Sequence, residues 1–143
     1  YKTTILMLVS GSMKMRRRTV LSGQRKVWRG LSGGDLHVTW MLEGEFGSKG
    51  GAEKAFMSTS TKREEAAKYA ARGGENPVLL EIDLSEIDKG ADIADLSQYP
   101  GEGEVLFPPM TNLEMMGMPL IDTAVIEENG KQRIQPFMVL PVR

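Results

Sequence analysis

The chain opens with a segment rich in apolar residues. Between residues 3 and 17 they recur at mixed spacing, which fits an amphipathic helix better than it fits the alternation of a strand. They are Ile5, Leu8, Val9, Met13 and Met15. Gly11 weakens this pattern because glycine is a poor helix former. We predict a helix over residues 3–17.

A second helix is predicted where an alanine-rich segment follows the Ser-Thr-Ser run at residues 58–60. Thr61 and Glu64 have the spacing of a capping box, in which each side chain satisfies a backbone amide of the other residue. Glu64 and Lys68 stand four residues apart, which is the spacing of a helical ion pair. Gly73-Gly74 ends the pattern.

The remaining apolar runs are short and predict strands at residues 26–31, 55–60, 78–84, 105–107, 113–118, 121–127 and 133–140. Residues 37–42 predict another short element, and Asn129-Gly130 predicts a two-residue hairpin between the last two strands. The glycine-rich stretch 44–51 lacks the Gly-Lys-Ser/Thr order of a P-loop and predicts a mobile connection. Residues 88–98 predict irregular structure.

Helices and strands are segregated, which indicates an α+β fold with a mainly antiparallel second half. No strand is followed by Gly-x-Gly-x-x-Gly, so we do not expect a Rossmann-type site.

The amino-acid composition limits which chemical groups the protein can use for catalysis. The 143 residues are enough for one domain, at 41% hydrophobic and 26% charged residues. There is no cysteine and a single histidine, His37, which excludes thiolate nucleophiles and histidine clusters that hold metals. Chemistry must therefore use hydroxyls, carboxylates and cations. The apolar run at residues 5–9 is too short to span a bilayer and lacks the layout of a signal peptide, and the initial Tyr1 suggests a fragment or a processed product.

Charge is distributed unevenly although the net charge is only −1. Residues 1–34 carry eight lysines and arginines and no acid, whereas the other 109 residues carry ten basic and all nineteen acidic residues. A solvated helix face explains most of this cluster, and the alternative is attraction of a phosphorylated cofactor or an acidic partner. Aromatic residues do not interleave with the cluster before Trp28, so we expect no nucleic-acid partner.

Four groups of residues suggest chemistry: Arg29 at a strand end, Ser58-Thr59-Ser60 at a strand-to-helix junction, Tyr69 with Arg72 on one helix face, and Glu102 with Glu104. Each group has an ordinary structural explanation as a surface ion pair, a cap, a core aromatic or a solvated turn. The glutamates lie between the turn Tyr99-Pro100-Gly101 and an apolar run. If a strand begins there, its period of two directs both carboxylates to the same side.

The order of these groups resembles the arginine, serine, glutamate class of ADP-ribosyltransferases. That class has an arginine on an early strand, Ser-Thr-Ser on a second strand and Glu-x-Glu at the start of a later one. Here the three signatures read Val-Trp-Arg-Gly, Phe-Met-Ser-Thr-Ser and Pro-Gly-Glu-Gly-Glu-Val-Leu-Phe-Pro-Pro. The resemblance covers about residues 25–140. It implies two packed, mainly antiparallel sheets in a single catalytic domain over residues 1–143.

The resemblance also implies roles. Glu104 is the catalytic glutamate, oriented by Ser58, and Glu102 is the residue associated with arginine as acceptor. Arg29 and Arg72 contact cofactor phosphate, Gly30 lies near the nicotinamide amide, and Tyr69 stacks on nicotinamide. Thr59 and Ser60 belong to the same cofactor-binding motif, and Tyr99 contacts the target protein.

The sequence departs from the class at two places. Ala55 stands where some toxin members place a cofactor-binding asparagine, and only 28 residues precede Arg29 where the class has a longer helical lobe. The first departure removes one implied cofactor contact. The second suggests that part of the N-terminal lobe is missing or that the variant is compact.

The implied activity is transfer of ADP-ribose from NAD to an arginine of a target protein, without a metal. We expect a monomer with no membrane partner. Two alternatives stay open: an NAD glycohydrolase, in which water is the acceptor, and a catalytically silent NAD-binding or interaction module. A poly-ADP-ribose polymerase is disfavoured because that class has histidine where Arg29 stands.

Overall fold

The computed structural model describes residues 1–20, 22–31, 40, 42–43, 47–72, 76–85, 87–128 and 130–143. Two helices are α1 (Lys2–Arg18) and α2 (Arg63–Ala71). The strands are β1 (Lys26–Leu31), β2 (Gly50–Glu53), β3 (Met57–Ser60), β4 (Val78–Asp83), β5 (Ala91–Asp92), β6 (Glu104–Phe107), β7 (Thr111–Glu114), β8 (Leu120–Glu128) and β9 (Lys131–Val142). Short 3-10 turns occupy Ala94–Leu96 and Pro100–Glu102. Within these ranges, no helix is both long and apolar enough to cross a membrane.

The strands form two sheets. A seven-stranded sheet has the order β5-β6-β3-β1-β4-β9-β8, and β2 pairs with β7 in a separate two-stranded sheet. Every strand pair is antiparallel except β4 with β9. The sequence prediction of mainly antiparallel sheets is therefore confirmed, with one parallel pair next to the β8 edge strand of the larger sheet.

Alternation along the strands sends side chains to two cores. One cluster includes Val27, Met57 and Val105 together with Leu113 of the small sheet, so it fills the space between the two sheets. The second cluster contains Ala66, Ala67 and Ala70 of α2 packed against the opposite face of the large sheet. Alanine allows the helix backbone to approach the sheet closely, and this approach shapes the cleft described below.

Both predicted helices are present, but the predicted start of the second one is wrong. Its N-cap is Lys62, without a capping side chain. The backbone amide of Thr61 instead donates to the Gly103 carbonyl at 2.9 Å, which ties this residue to a neighbouring turn. The Lys68 ammonium pairs with Glu65 at 2.9 Å rather than with Glu64. This hydrogen bond and the charge of Glu65 raise the pKa of Lys68 above its ordinary value.

Two predictions of irregular structure are corrected. Gly50 and Gly51, assigned to a mobile connection, belong to β2 and pair with Glu114 and Leu113. A Cβ atom on Gly50 would lie 2.0 Å from the Leu113 carbonyl oxygen, so glycine permits close strand pairing there. Residues 88–98 contain β5 and a 3-10 turn.

The bounds of two predicted strands also differ from those in the structure. The strand predicted at residues 55–60 begins at Met57, and the one predicted at residues 113–118 runs over Thr111–Glu114 with an isolated bridge at Met115. The last two strands pair antiparallel as expected. Most of the predicted 37–42 element, the start of the glycine stretch at 44–46, Gly73-Gly74 and Asn129 lie outside the described residues.

Candidate active site

The predicted site residues converge on one cleft, with one exception. The cleft, of about 240 Å³, lies where β1, β3 and β6 face α2. Nine of the ten predicted residues line it: Arg29, Gly30, Ser58, Thr59, Ser60, Tyr69, Arg72, Glu102 and Glu104. Tyr99 is absent from this lining. Residues separated by up to 75 positions in the chain are thus brought together by strand pairing and helix packing.

Strand pairing sets the position of the half-buried Glu104. Strands β3 and β6 pair antiparallel, with Ser60 opposite Glu104 and Ser58 opposite Leu106. The Ser58 hydroxyl donates a hydrogen bond of 2.6 Å to Glu104 Oε1. The carboxylate therefore has one oxygen fixed by a side chain of the adjacent strand.

The second oxygen of Glu104 has a partner that sequence reasoning missed. The Ser97 hydroxyl donates to Glu104 Oε2 at 2.9 Å. Ser97 directly follows the 3-10 turn Ala94–Leu96, in a segment predicted to be irregular. A serine seven residues before the glutamate is an ordinary turn residue, so only the path of the chain could reveal this contact.

The other two hydroxyls of the Ser-Thr-Ser run hold backbone. The buried Thr59 donates to the Val105 carbonyl at 2.7 Å. Ser60 donates to the Glu102 carbonyl and accepts the amide of Lys62 at 2.9 Å. Three consecutive hydroxyls thus bind a carboxylate, a strand carbonyl and a turn carbonyl. The cofactor contacts implied for Thr59 and Ser60 compete with these backbone partners.

Glu102 reaches the cleft by a route different from the predicted one. Strand β6 begins at Glu104, whereas Glu102 ends the 3-10 turn Pro100–Glu102. Gly103 between them has φ +60°, and a Cβ atom there would lie 2.2 Å from Thr61 Oγ1. The prediction that a strand period of two aligns the carboxylates is wrong. A glycine-dependent turn brings both to one cleft, with Glu102 exposed.

Arg29 lies between the two sheets. Its Nη1 donates to the Ser58 carbonyl at 3.0 Å, and its Nη2 lies 3.3 Å from Glu53 Oε2 on β2. Arg29 Nε and the indole nitrogen of Trp28 are buried with no hydrogen-bond partner among the described residues. Glu53 was not predicted as a site residue, because no sequence pattern places the small sheet beside β1.

Helix α2 forms the other wall of the cleft. A Cβ atom on Gly30 would lie 2.1 Å from the Ala66 carbonyl oxygen and 2.7 Å from the Ala70 nitrogen. Helix α2 can approach β1 this closely only because residue 30 is glycine. The contact places Tyr69, which is 54% exposed, and the exposed Arg72 at the cleft.

A family model described as ADP-ribosyltransferase exoenzyme matches residues 30–136. The chain belongs to this ADP-ribosyltransferase family. No curated protein matches the chain.

Solved structures of bacterial proteins share the ADP-ribosyltransferase fold. The ADP-ribosyltransferase HopU1 of Pseudomonas syringae pv. tomato DC3000 aligns with 25% identity and a TM-score of 0.62, over 97% of this chain and 53% of HopU1. The Salmonella SpvB ATR domain aligns with 21% identity and a TM-score of 0.62, over 99% of this chain and 71% of that domain. The catalytic domain of VahC from Aeromonas hydrophila gives 20% identity, a TM-score of 0.58 and coverage of 99% and 70%. This chain therefore spans about half the length of HopU1.

Two further features bear on the candidate site. Tyr99 is 59% exposed and directly precedes the turn that carries Glu102. It is not among the residues that line the cleft. Among the residues that the structure describes, no group of three or more histidine, aspartate or glutamate side chains is arranged to hold a metal ion.

Proposed function

We propose that this protein transfers ADP-ribose from NAD to an arginine side chain of a target protein and releases nicotinamide. The observation that carries the proposal is the pair of carboxylates at one cleft. Glu104 is fixed through both oxygens, and Glu102 is exposed on the adjoining turn. One fixed and one exposed carboxylate suit the two different tasks that this reaction requires.

The first task is cleavage of the bond between nicotinamide and ribose. Nicotinamide takes the electron pair of this bond and leaves as a neutral molecule, so no general acid is needed. Positive charge develops on the ribose as an oxocarbenium-like centre, and a carboxylate held beside it lowers the barrier. Glu104 is the group proposed for this role, because its orientation is set before substrate binds.

The second task is attack by the acceptor. An arginine guanidinium remains protonated at physiological pH, since its pKa exceeds about 12. One of its nitrogens forms the new bond to the ribose carbon, and a proton must leave that nitrogen as the bond forms. Glu102 is proposed to bind the guanidinium and to accept this proton, while Tyr99 on the preceding turn contacts the target protein.

The cations of the cleft are proposed to hold the pyrophosphate. Arginine forms charge-assisted, often bidentate hydrogen bonds with phosphate oxygens. Arg29 has a buried Nε without a partner in the described structure, and Arg72 is exposed on the opposite wall. Tyr69 is proposed to stack on the nicotinamide ring, with the Gly30 backbone beside the carboxamide.

The proposal is tested with NAD labelled in its adenylate portion, incubated with the protein and with agmatine or an arginine-containing peptide. We expect labelled acceptor and one nicotinamide released for each transfer. Glu104→Gln is expected to lower both products by roughly 10²- to 10⁴-fold, in the range for a carboxylate that acts in the transition state. Undiminished transfer by this variant would refute the mechanism.

The same assay separates the alternatives. Nicotinamide release without labelled acceptor would identify an NAD glycohydrolase. Binding of NAD by calorimetry without nicotinamide release would identify a silent binding module. Glu102→Gln provides the internal comparison, because it should reduce transfer to arginine more than hydrolysis.

A further inference from the structure

We infer that Ser97 is a positioning residue for Glu104, and that it couples the turn carrying Glu102 to the carboxylate that acts on the ribose. This inference rests on the proposed function. Ser97 is proposed to contact neither NAD nor the acceptor. Its effect would arise through the orientation of the Glu104 side chain.

The first step of the argument concerns the freedom of a carboxylate. The last torsion of a glutamate side chain joins a tetrahedral carbon to a planar one and has broad, weakly defined minima. A single hydrogen bond to one oxygen therefore leaves the carboxylate plane free to rotate. In this structure Ser58 donates to Oε1 at 2.6 Å and Ser97 donates to Oε2 at 2.9 Å. Two donors on different oxygens fix the plane.

The second step concerns how Ser97 itself is held. Its backbone amide donates to the carbonyls of Ile93 at 2.9 Å and Ala94 at 3.3 Å, which closes the 3-10 turn. Its hydroxyl oxygen also accepts the Tyr99 amide at 3.3 Å. A serine hydroxyl has one proton to donate and two lone pairs that accept, so it can serve Glu104 and Tyr99 together.

The third step is the connection that this produces. The Tyr99 carbonyl accepts the Glu102 amide at 3.0 Å, so the turn that Ser97 anchors also carries Glu102. Ser58 reaches Glu104 from β3, whereas Ser97 reaches it from the segment between the two 3-10 turns. The two serines hold Glu104 between the sheet and the acceptor side of the cleft.

The experiment compares Ser97→Ala, Ser97→Thr and wild type, with nicotinamide release and transfer to agmatine measured separately. Misplacement of a reacting group by about 1 Å can cost 10²-fold in rate, so we expect Ser97→Ala to lower kcat by roughly 10- to 100-fold. The KM for NAD should change less than threefold, because Ser97 is not proposed to touch NAD. Ser97→Thr retains the hydroxyl and should recover most of kcat. This rescue and the confinement of the loss to kcat would not be expected of a residue that serves stability alone.

Ser85→Ala is the matched control. The Ser85 hydroxyl also caps a turn, since it accepts the amides of Ile87 and Asp88, but Ser85 does not line the cleft. Wild-type kinetics are expected for this variant. A kcat of Ser97→Ala within twofold of wild type would overturn the inference, as would a loss of kcat that Ser97→Thr does not restore.

A structural measurement keeps the two proposals distinguishable. If wild type releases no nicotinamide, the proposed function fails, but the positioning claim is still decided by crystal structures of unliganded wild type and Ser97→Ala. We expect one orientation of the Glu104 carboxylate in wild type and a rotated or split carboxylate in the variant. The same single orientation in both proteins would overturn the inference independently of activity.

Discussion

The Ser60 hydroxyl donates a hydrogen bond to the backbone carbonyl of Glu102, so the last serine of the Ser-Thr-Ser run holds the turn that presents the carboxylate proposed to face the acceptor. The same hydroxyl oxygen accepts the Lys62 amide at the start of α2. The Lys62 ammonium in turn donates to the Gly101 carbonyl of this turn. Strand β3, helix α2 and the turn are thus joined at one point.

Ser60→Ala should therefore separate the two carboxylates functionally. Without the hydroxyl, the Glu102 carbonyl loses a donor and the turn is free to shift. Glu104 keeps Ser58 as a partner, and Ser97 stays held by the Ile93 and Ala94 carbonyls, so a shift of the turn reaches Glu104 only through the Tyr99 amide that Ser97 accepts. We expect transfer to agmatine to fall by roughly tenfold, as for a modest misplacement of a reacting group, with nicotinamide release by hydrolysis reduced much less. The measurement is the ratio of labelled agmatine to total nicotinamide.

The control for this prediction is Ser12→Ala. Ser12 is also a buried serine, and its hydroxyl donates to the Val9 carbonyl at 2.9 Å within α1, away from the cleft. Its transfer ratio should equal that of wild type. Equal losses of transfer and hydrolysis in Ser60→Ala would contradict the assignment of Ser60 to the acceptor side.

Thr59→Val is expected to affect stability rather than NAD binding. Thr59 is 4% exposed and its hydroxyl donates to the Val105 carbonyl at 2.7 Å. Valine has nearly the same shape but cannot donate, so the variant should lose roughly 1–3 kcal/mol of unfolding free energy. Urea denaturation measures the loss, and the KM for NAD should stay within twofold of wild type.

Thr123→Val supplies the comparison for this change, because Thr123 is exposed on β8 and its hydroxyl lies at the surface. Its unfolding free energy should differ from wild type by less than about 0.5 kcal/mol, as is usual for surface changes. An increase in the KM for NAD of tenfold or more in Thr59→Val, with stability unchanged, would restore the cofactor contact implied by the family resemblance.

Site residues that belong to a short sequence motif could be predicted from the sequence. Glu104, Ser58 and Arg29 each stand in a local pattern, and the α+β class follows from the segregation of helices and strands. Ser97 and Glu53 could not be predicted in this way. Ser97 meets Glu104 only because the chain between them folds back through a turn. Glu53 meets Arg29 because β2 pairs with β7, about sixty residues further along the chain.

Local rules also failed where tertiary contacts outweighed them. Thr61 and Glu64 have capping-box spacing, yet the Thr61 amide is satisfied by Gly103, so the helix begins without that cap. Gly50 and Gly51 resemble a flexible connection, but in the fold their missing side chains permit close packing against Leu113 and Trp40. The presence of glycine in a sequence does not by itself show whether it serves a flexible connection or close packing.

Gly30→Ala should damage both stability and activity. The added methyl group would meet backbone atoms of Ala66 and Ala70, which cannot rotate away as a side chain could. Helix α2 must move, and Tyr69 and Arg72 move with it. Overpacking of this kind typically costs about 1–3 kcal/mol. We expect a lower midpoint in urea and a raised KM for NAD.

Gly11→Ala tests whether that loss is specific to the contact. Gly11 lies inside α1, and apart from its chain neighbours and the adjacent helix backbone no atom lies within 4 Å of an added Cβ. Alanine at an open helical position should stabilise the protein by up to about 1 kcal/mol, because glycine is the poorer helix former. If Gly30→Ala were as stable and as active as wild type, the proposed dependence of the cleft on this approach would be wrong.

The stabilising effect of Lys26 on the β1–β4 pair should be lost in the alkaline range. The hydrogen bond from Lys26 to Glu81 at 2.5 Å, with the charges of Glu81 and Asp83, raises the pKa of Lys26 above its ordinary value of 10.5 and outweighs desolvation, which lowers it. A raised pKa in the folded state stabilises that state fully below the ordinary value and ceases to do so as pH rises through the folded value. The difference in urea midpoint between wild type and Lys26→Met should therefore be constant from about pH 6 to 9 and shrink above about pH 10.5.

Lys54→Met at an exposed lysine of the β2–β3 connection controls for the general loss of a positive charge. Its midpoint difference from wild type should be smaller than that of Lys26→Met at neutral pH, because exposed charges are screened by solvent and salt. A midpoint difference for Lys26→Met that already declines between pH 6 and 9 would contradict the assignment.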